Sequence, residues 1–162
     1  VRGGGKFDST WPNGCHITEV EIDPETGKAQ IAAYVAVDDC GIAINHTIVE
    51  GQVQGAVTQG AGQVFGEHIV YDPENGQLVT GSFMDYTMPR AGLVREIRMT
   101  DHATPSKVSP LGVKGVGESG CTASLGAIAN AVQDALRPLK IKPLDIPMTP
   151  ARLWKAIAAA RR

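Results

Sequence analysis

The sequence predicts an α+β fold, and two kinds of pattern lead to that prediction. Some segments alternate apolar and polar residues on either side of Pro/Gly turns, which is typical of β-hairpins, whereas others carry apolar residues at helical spacing. These segments do not follow the regular strand–helix alternation of a doubly wound sheet. We therefore expect β-hairpins packed with about three helices, forming a single domain or subdomain of 162 residues.

Residues 15–37 are predicted to form the first hairpin. The outgoing strand alternates apolar and acidic side chains between Thr18 and Ile22, and the turn from Asp23 to Gly27 contains both proline and glycine. The residues that alternation places on one face of the return strand are Ala29, Ile31, Ala33, Val35 and Val37.

A glycine-rich helix is predicted after this hairpin. Thr47 and Glu50 have capping-box spacing, which predicts Thr47 as the residue that precedes the helix. The residues at helical spacing are Val49, Val53, Ala56, Val57, Gly60 and Val64. Each glycine lowers helix stability by roughly 1 kcal/mol relative to alanine. So many glycines in one helix therefore indicate that another backbone or a ligand lies close to it.

The remaining elements are predicted from turn and capping signals. A second hairpin is expected over residues 67–80, irregular structure over 81–93 and a strand over Val94–Asp101. A helix should follow Glu118, and a last helix should begin after the N-cap Thr149 with Pro150 at its first position. The predicted buried face of the helix after Glu118 consists of Leu125, Ile128, Ala129, Val132 and Leu136.

Composition argues against several classes of function. The formal net charge is −2, so no basic surface for nucleic acid or an anionic membrane is expected. No apolar run approaches the length of a membrane span. Three widely spaced cysteines favour free thiols and a reducing cytoplasm. The start Val1–Gly5, with no methionine, leads us to expect that residues 1–162 are part of a longer polypeptide.

The segment Gly112–Gly120 is the strongest functional signal from the residues alone. Its four glycines permit close backbone approach to a ligand, and Glu118 stands where the segment meets a predicted helix N-terminus. A carboxylate there is either a general base beside a bound anion or a residue that only stabilises the helix dipole. Gln52, next to Gly51, is either an exposed helical residue or a donor and acceptor for a heterocycle.

Other motifs have weaker support. The run Gly60–Gly66 superficially resembles a dinucleotide-binding fingerprint, but it has one residue too many before its last glycine and lies within a predicted helix. The four histidines have no zinc-binding spacing. The serines lack the strained elbow of hydrolase nucleophiles.

Two segments, Glu50–Ala56 and Lys114–Ser119, together resemble the C-terminal part of the large subunit of molybdenum hydroxylases, the xanthine dehydrogenase and aldehyde oxidase family. The branch to which the sequence is most similar is the aerobic carbon monoxide dehydrogenase large subunit. The resemblance covers residues 11–157. The other segments that carry it are Pro12–His16, Val20–Asp23, Asp38–Gly41 and Ile128–Val132.

The resemblance implies a molybdenum–molybdopterin cofactor, in bacteria commonly the cytosine dinucleotide form. It implies that Gln52 contacts the pterin, that Glu118 is the base beside molybdenum, and that Gly117 and Ser119 present backbone to the cofactor. The metal would be bound through the pterin, so no side chain of this chain is expected to be a metal ligand. The implied reaction is attack by a molybdenum-bound hydroxide on an electron-poor carbon of a small substrate.

The resemblance also implies partners. The remainder of the large subunit would complete the site, and iron–sulfur centres and FAD would lie on partner subunits. The fragment alone is expected to be inactive. Two other hypotheses remain open: a noncatalytic interaction module of the same fold that has lost its cofactor, and a nucleotide-binding domain based on Gly60–Gly66.

Overall fold

In the part of the chain that the structure describes, a three-stranded sheet and three α-helices make up the fold, which confirms the predicted α+β class. The structure is a computed structural model, and it describes residues 9–161. The elements are β1 (Asn13–Ile22), β2 (Ala29–Asp39), α1 (His46–Phe65), β3 (Arg98–Asp101), α2 (Ser119–Leu136), a 3₁₀ turn (Arg137–Leu139) and α3 (Pro150–Ala160). Within residues 9–161, none of the helices has the length and hydropathy needed to cross a lipid bilayer.

The sheet has the strand order β1-β2-β3, with β1 antiparallel and β3 parallel to β2. The predicted first hairpin is confirmed. Its turn is stabilised by Asp23, which accepts hydrogen bonds from the Thr26 hydroxyl at 2.7 Å and from the Glu25 N–H at 2.9 Å. Gly27 takes a φ of +72°, a conformation that glycine adopts without steric cost.

A β-bulge in β2 makes part of the predicted face wrong. Glu19 pairs with Ala33 but Val20 pairs with Ile31, so Ala32 is an extra residue. Because side chains alternate with a period of two, one extra residue moves every later side chain to the other face. Ala33 and Val35 are therefore exposed. The residues buried on the inward face after the bulge are Tyr34, Ala36 and Asp38, and Asp39 at the end of the strand is buried as well.

The start of α1 also differs from the prediction. Asn45, not Thr47, is the N-cap, and its Oδ1 accepts a hydrogen bond from the Ile48 N–H at 3.1 Å. Asparagine is among the strongest N-cap residues, and here it lies two positions earlier than the capping-box pattern suggested. The predicted buried face of α1 is confirmed, and its members are Val49, Val53, Ala56, Val57, Gly60 and Val64.

The other predicted elements are found with adjusted lengths. The second hairpin has its turn at Asp72–Gly76 but only one bridge, between Tyr71 and Leu78. The last strand is restricted to β3, preceded by an isolated bridge at Val94. Helix α3 begins at Pro150 after the N-cap Thr149, as predicted. The core between sheet and helices includes Ile31, Tyr34, Val53, Val57, Ile128, Val132, Leu136, Met148, Leu153 and Ile157.

Helices α1 and α2 pack closely where small residues face each other. A Cβ on Gly60 would collide with Ser124, which is fully buried. A Cβ on Gly120 would lie 2.6 Å from the Val53 carbonyl oxygen and 2.9 Å from the Ala56 Cβ. The α1 glycines predicted that another backbone or a ligand lies close to this helix, and at Gly60 the close neighbour is α2. At Gly51 and Gly55 a built Cβ would have no neighbour within 4 Å.

Gly120→Ala is expected to destabilise this crossing by about 1–3 kcal/mol, because the added methyl group meets main-chain atoms that cannot rotate away. Gly126→Ala is the matched control, since it lies in the same helix and its Cβ would meet nothing within 4 Å. There the higher helix propensity of alanine should stabilise by up to about 1 kcal/mol. Hydrogen exchange of α1 and α2 peptides in the complete protein measures both. Equal protection in the two variants would contradict the close contact.

Candidate functional site

A cleft of about 700 Å³ lies beside the N-terminus of α2. One wall is the segment of residues 10–14 that leads into β1, and the other is formed by the glycine segment and the first turn of α2. Asp38, at the end of β2, also lines the cleft. The cleft contains three of the four predicted site residues: Gly117, Glu118 and Ser119.

Glu118 stands at the N-cap position of α2, as the sequence predicted, but its side chain makes no capping hydrogen bond. The residue is exposed. Its main-chain carbonyl accepts hydrogen bonds from the Thr122 N–H and hydroxyl, both at 3.1 Å, which anchors the backbone to the first helical turn. Glu118 therefore lines the cleft from a backbone position held by the first helical turn, and no capping hydrogen bond engages its carboxylate.

Gln52 and Gly117 are brought together by the packing of α1 against α2. A Cβ built on Gly117 would lie 3.9 Å from Gln52 Oε1. Gln52 is exposed on α1, so its amide is accessible beside the glycine segment. The Ser119 hydroxyl instead donates to the Val116 carbonyl at 3.0 Å and closes its own turn. The structure thus brings the four predicted residues into one neighbourhood, while their roles stay predictions.

The glycines of the segment serve different purposes in the fold. Gly112 has a φ of +67°, the conformation that favours glycine. Gly120 is where α2 meets the backbone of α1, and Gly115 faces open space. Gly112 therefore has the unusual backbone conformation that was expected, and a Cβ on it would lie 3.0 Å from Ile42 Cγ1. Gly112 and Gly120 are approached closely by other parts of the protein, and an approach to a ligand stays a prediction.

Asp39 is the anchor of the glycine segment, and sequence reasoning missed it. Its Oδ2 accepts from Lys114 Nζ at 2.6 Å, and its Oδ1 accepts from the N–H groups of Gly41 and Thr104, each at 2.9 Å. Both partners of the ion pair are nearly buried, with side-chain exposures of 11% for Lys114 and 8% for Asp39. The Lys114 ammonium and the Thr104 N–H hold the pKa of Asp39 well below its usual range.

A second buried polar cluster lies beneath the cleft. His16 Nε2 contacts the Asp38 carboxylate at 3.2 Å, and Nδ1 lies 2.7 Å from the Tyr34 hydroxyl. When Nε2 donates a hydrogen bond to Asp38, Nδ1 accepts a hydrogen bond from the Tyr34 hydroxyl. Burial and the nearby Asp38 raise the pKa of Tyr34, which keeps its hydroxyl protonated as a donor. The cluster fixes Asp38 in the cleft wall.

Sequence reasoning missed this cluster because the β2 bulge brings Tyr34 and Asp38 to the same face as His16. His16 is a single histidine in a strand of alternating pattern, and this pattern does not indicate that Tyr34 and Asp38 are its partners. The only signal available was the pair of acidic residues, Asp38 and Asp39, that ends an otherwise apolar strand.

Among residues 9–161, no group of three or more His, Cys, Asp and Glu side chains is arranged to hold a metal ion. Cys15, Cys40 and Cys121 are all free thiols. A second cavity, of about 500 Å³, lies between Phe65, Met88 and Arg90 and contains none of the predicted site residues.

Comparison with known proteins shows the family to which this chain belongs. The family described as "Molybdopterin cofactor-binding domain" matches residues 1–95. The nicotine 6-hydroxylase large subunit of Paenarthrobacter nicotinovorans is 42% identical over 160 residues, which cover 94% of this chain and 20% of that protein. The carbon monoxide dehydrogenase large chain of Hydrogenophaga pseudoflava is 38% identical over 149 residues, covering 91% and 18%.

A solved structure has the same fold. The Cu,Mo-CO dehydrogenase in its carbon monoxide reduced state superposes with a TM-score of 0.88 and 37% identity over 93% of this chain and 19% of that one. The chain spans about a fifth of the length of these relatives. It belongs to the molybdopterin cofactor-binding domain family, among the molybdenum hydroxylases related to xanthine dehydrogenase.

Proposed function

We propose that this chain is the part of a molybdenum hydroxylase large subunit that supplies the general base, Glu118, to a molybdenum–molybdopterin site. The observation that carries the proposal is the convergence at one cleft of Glu118 and the glycine segment, with Gln52 against Gly117. Gln52 lies on α1 and Glu118 at the start of α2. A site that uses both an amide and a carboxylate would account for their exposed positions near one cleft.

The residues of the cleft, together with Gln52 beside Gly117, fit such a cofactor. Gln52 offers both a donor and an acceptor, which suits a pterin edge rich in nitrogen and oxygen. Gly115 and Gly117 leave backbone open to a flat ring, because no neighbour lies closer than 3.9 Å to a Cβ built on either. The N-terminus of α2, an 18-residue helix, favours the negative charge of a phosphate. We infer the cytosine dinucleotide form from the family resemblance.

When bound, the molybdenum cofactor supplies the oxygen that is transferred and accepts the two electrons removed from the substrate. The part of this chain is proton transfer. Glu118 offers an exposed carboxylate at the cleft, which would take up the proton released when the substrate is hydroxylated. The glycine segment and α2 hold the backbone of Glu118 in place. Iron–sulfur centres and FAD on partner subunits would carry the electrons away.

The chain spans about a fifth of the length of its relatives, so we propose a panel of test substrates rather than one compound. The names of two relatives point to nicotine and to carbon monoxide, and an aromatic aldehyde represents the third class within the family. All three offer an electron-poor carbon to an oxygen nucleophile. The free thiols Cys15, Cys40 and Cys121 suit a reducing cytoplasm.

Metal analysis of the complete protein, purified from its host, tests this function. We expect about one molybdenum per large subunit, the stoichiometry of one metal centre per catalytic site, and turnover of at least one panel substrate with a dye as electron acceptor. A protein without molybdenum and without turnover would instead support the alternative, a noncatalytic module of the same fold. The third hypothesis, a nucleotide site at Gly60–Gly66, is not supported, since Gly60, Gly62 and Phe65 are buried within α1.

A further inference from the structure

We propose that Asp39 and Lys114 act as a positioning pair, which fixes the glycine segment and thereby sets where the Glu118 carboxylate stands in the cleft. This inference rests on the proposed function, because it assigns a task to the pair only if Glu118 is the base. Neither residue lines the cleft, so both would act on Glu118 through the backbone of the glycine segment.

The Asp39 carboxylate accepts hydrogen bonds from four parts of the chain. Besides the ammonium of Lys114, it contacts the N–H groups of Gly41 and Thr104 and, at 3.4 Å, the side-chain amide of Asn13. Asn13 opens β1 and lines the opposite wall of the cleft. One carboxylate thus joins the end of β2 to both walls.

Lys114 is fixed by its backbone as well as by its side chain. Its N–H donates to the Cys40 carbonyl at 2.8 Å, and the preceding Val113 forms an antiparallel bridge with Gly41. On the other side of Glu118, Gly120 is pressed against α1 at Val53. The segment between these two anchors includes Gly115, where a built Cβ would meet nothing within 4 Å, and Glu118, which makes no capping bond. Within it, the Gly115 N–H donates to the Thr10 hydroxyl at 3.4 Å.

The segment from Lys114 to Gly120 is short and is held at both ends, so the position of its middle depends on both contacts. Loss of the Lys114 side-chain contact would leave Glu118 attached to α2 and the Lys114 N–H bonded to Cys40, but would loosen the turn that approaches Glu118. Misplacement of a catalytic group by about 1 Å can cost roughly a hundredfold in rate. A purely stabilising role is the competing explanation, but buried ion pairs are often no more stabilising than apolar replacements. The two roles predict different results when both charges are removed.

The test is a double-variant cycle in the complete enzyme with Lys114→Met, Asp39→Asn and the combined variant. Lys114→Met leaves the Asp39 carboxylate buried without its cation, so thermal stability should fall. Asp39→Asn keeps an oxygen that can accept from Gly41 and Thr104. The combined variant has no buried charge left unpaired, so its melting temperature should return close to that of the parent.

If the pair positions Glu118, the combined variant should regain thermal stability but not turnover. For the panel substrate with the highest turnover, we expect kcat to stay about tenfold to a hundredfold low in the combined variant. KM and molybdenum content should stay within about twofold, because neither residue lines the cofactor cleft. Recovery of kcat together with the melting temperature would overturn the proposal. If Lys114→Met alone fails to fold, the combined variant and Asp39→Asn give the same decision.

The matched control is the exposed pair Arg137–Asp134, whose nitrogen and oxygen lie 3.1 Å apart at the far end of α2. The cycle with Arg137→Met and Asp134→Asn should change neither kcat nor melting temperature. Glu118→Gln measured in parallel separates the two proposals. A Glu118→Gln enzyme that keeps normal turnover would overturn both, whereas an inactive one beside a fully active combined variant would overturn the positioning pair alone.

Discussion

Glu118→Gln is expected to lower the turnover of the complete enzyme by about 10²–10⁴, the usual contribution of a positioned general base. Glutamine keeps the size of the side chain and one oxygen, but it cannot take up a proton at neutral pH. The side chain is exposed and makes no capping hydrogen bond. The substitution should therefore leave folding and molybdenum content unchanged, and kcat with metal analysis on the same preparation measures both.

Glu74→Gln is the matched control, since Glu74 is an exposed glutamate in the turn Asp72–Gly76, outside the cleft. Its turnover should equal that of the parent enzyme. Near-normal turnover of Glu118→Gln would remove Glu118 from the mechanism. A parallel loss of molybdenum would instead make Glu118 a residue that holds the cofactor.

Ile128→Ala is expected to destabilise the packing of α2 on α1 by about 2–5 kcal/mol, the range for large-to-small changes in a tightly packed core. Ile128 has no exposed surface and belongs to the cluster that joins both helices to the sheet. The cavity left by the missing atoms should loosen the contact that brings Gln52 beside Gly117. Hydrogen exchange of α1 and α2 peptides, in the complete protein, reports the local loss of stability.

Ile128→Val provides the graded comparison, because it removes a single methylene group and should cost about 0.5–1.5 kcal/mol. Exchange rates should rise in the order parent, Ile128→Val, Ile128→Ala. If Ile128→Ala exchanged like the parent, the helix interface would not depend on this residue, and the contact between the two halves of the site would have another origin.

The local parts of the fold could be predicted because local chemistry dictates them. The first hairpin follows from alternation and from a turn in which Asp23 and Gly27 each have a defined task. Helix α2 follows from apolar spacing, and α3 from its Thr149 cap and Pro150 start. Errors arose where two local signals competed, as at Asn45 and Thr47, which both can cap a helix.

Within the candidate site, too, the features that depend on local sequence could be predicted and those that depend on distant contacts could not. Glu118 at the start of α2 could be predicted, because a glycine run before a helical pattern is a local feature. The ion pair of Asp39 and Lys114 could not, because nothing in either local sequence indicates the other. The buried cluster around His16 could not either, since it depends on a bulge that a regular alternation conceals.

The sequence by itself determined the α+β class, the elements that carry the site and the residue types available for proton transfer and cofactor contact. Only the tertiary structure decided that Gln52 faces Gly117, that Asp39 ties both cleft walls together, and which face of β2 is buried. The reason is physical: periodicity and capping act over a few neighbouring residues, whereas contacts between distant segments depend on how closely whole elements can approach, here set by Gly60 and Gly120.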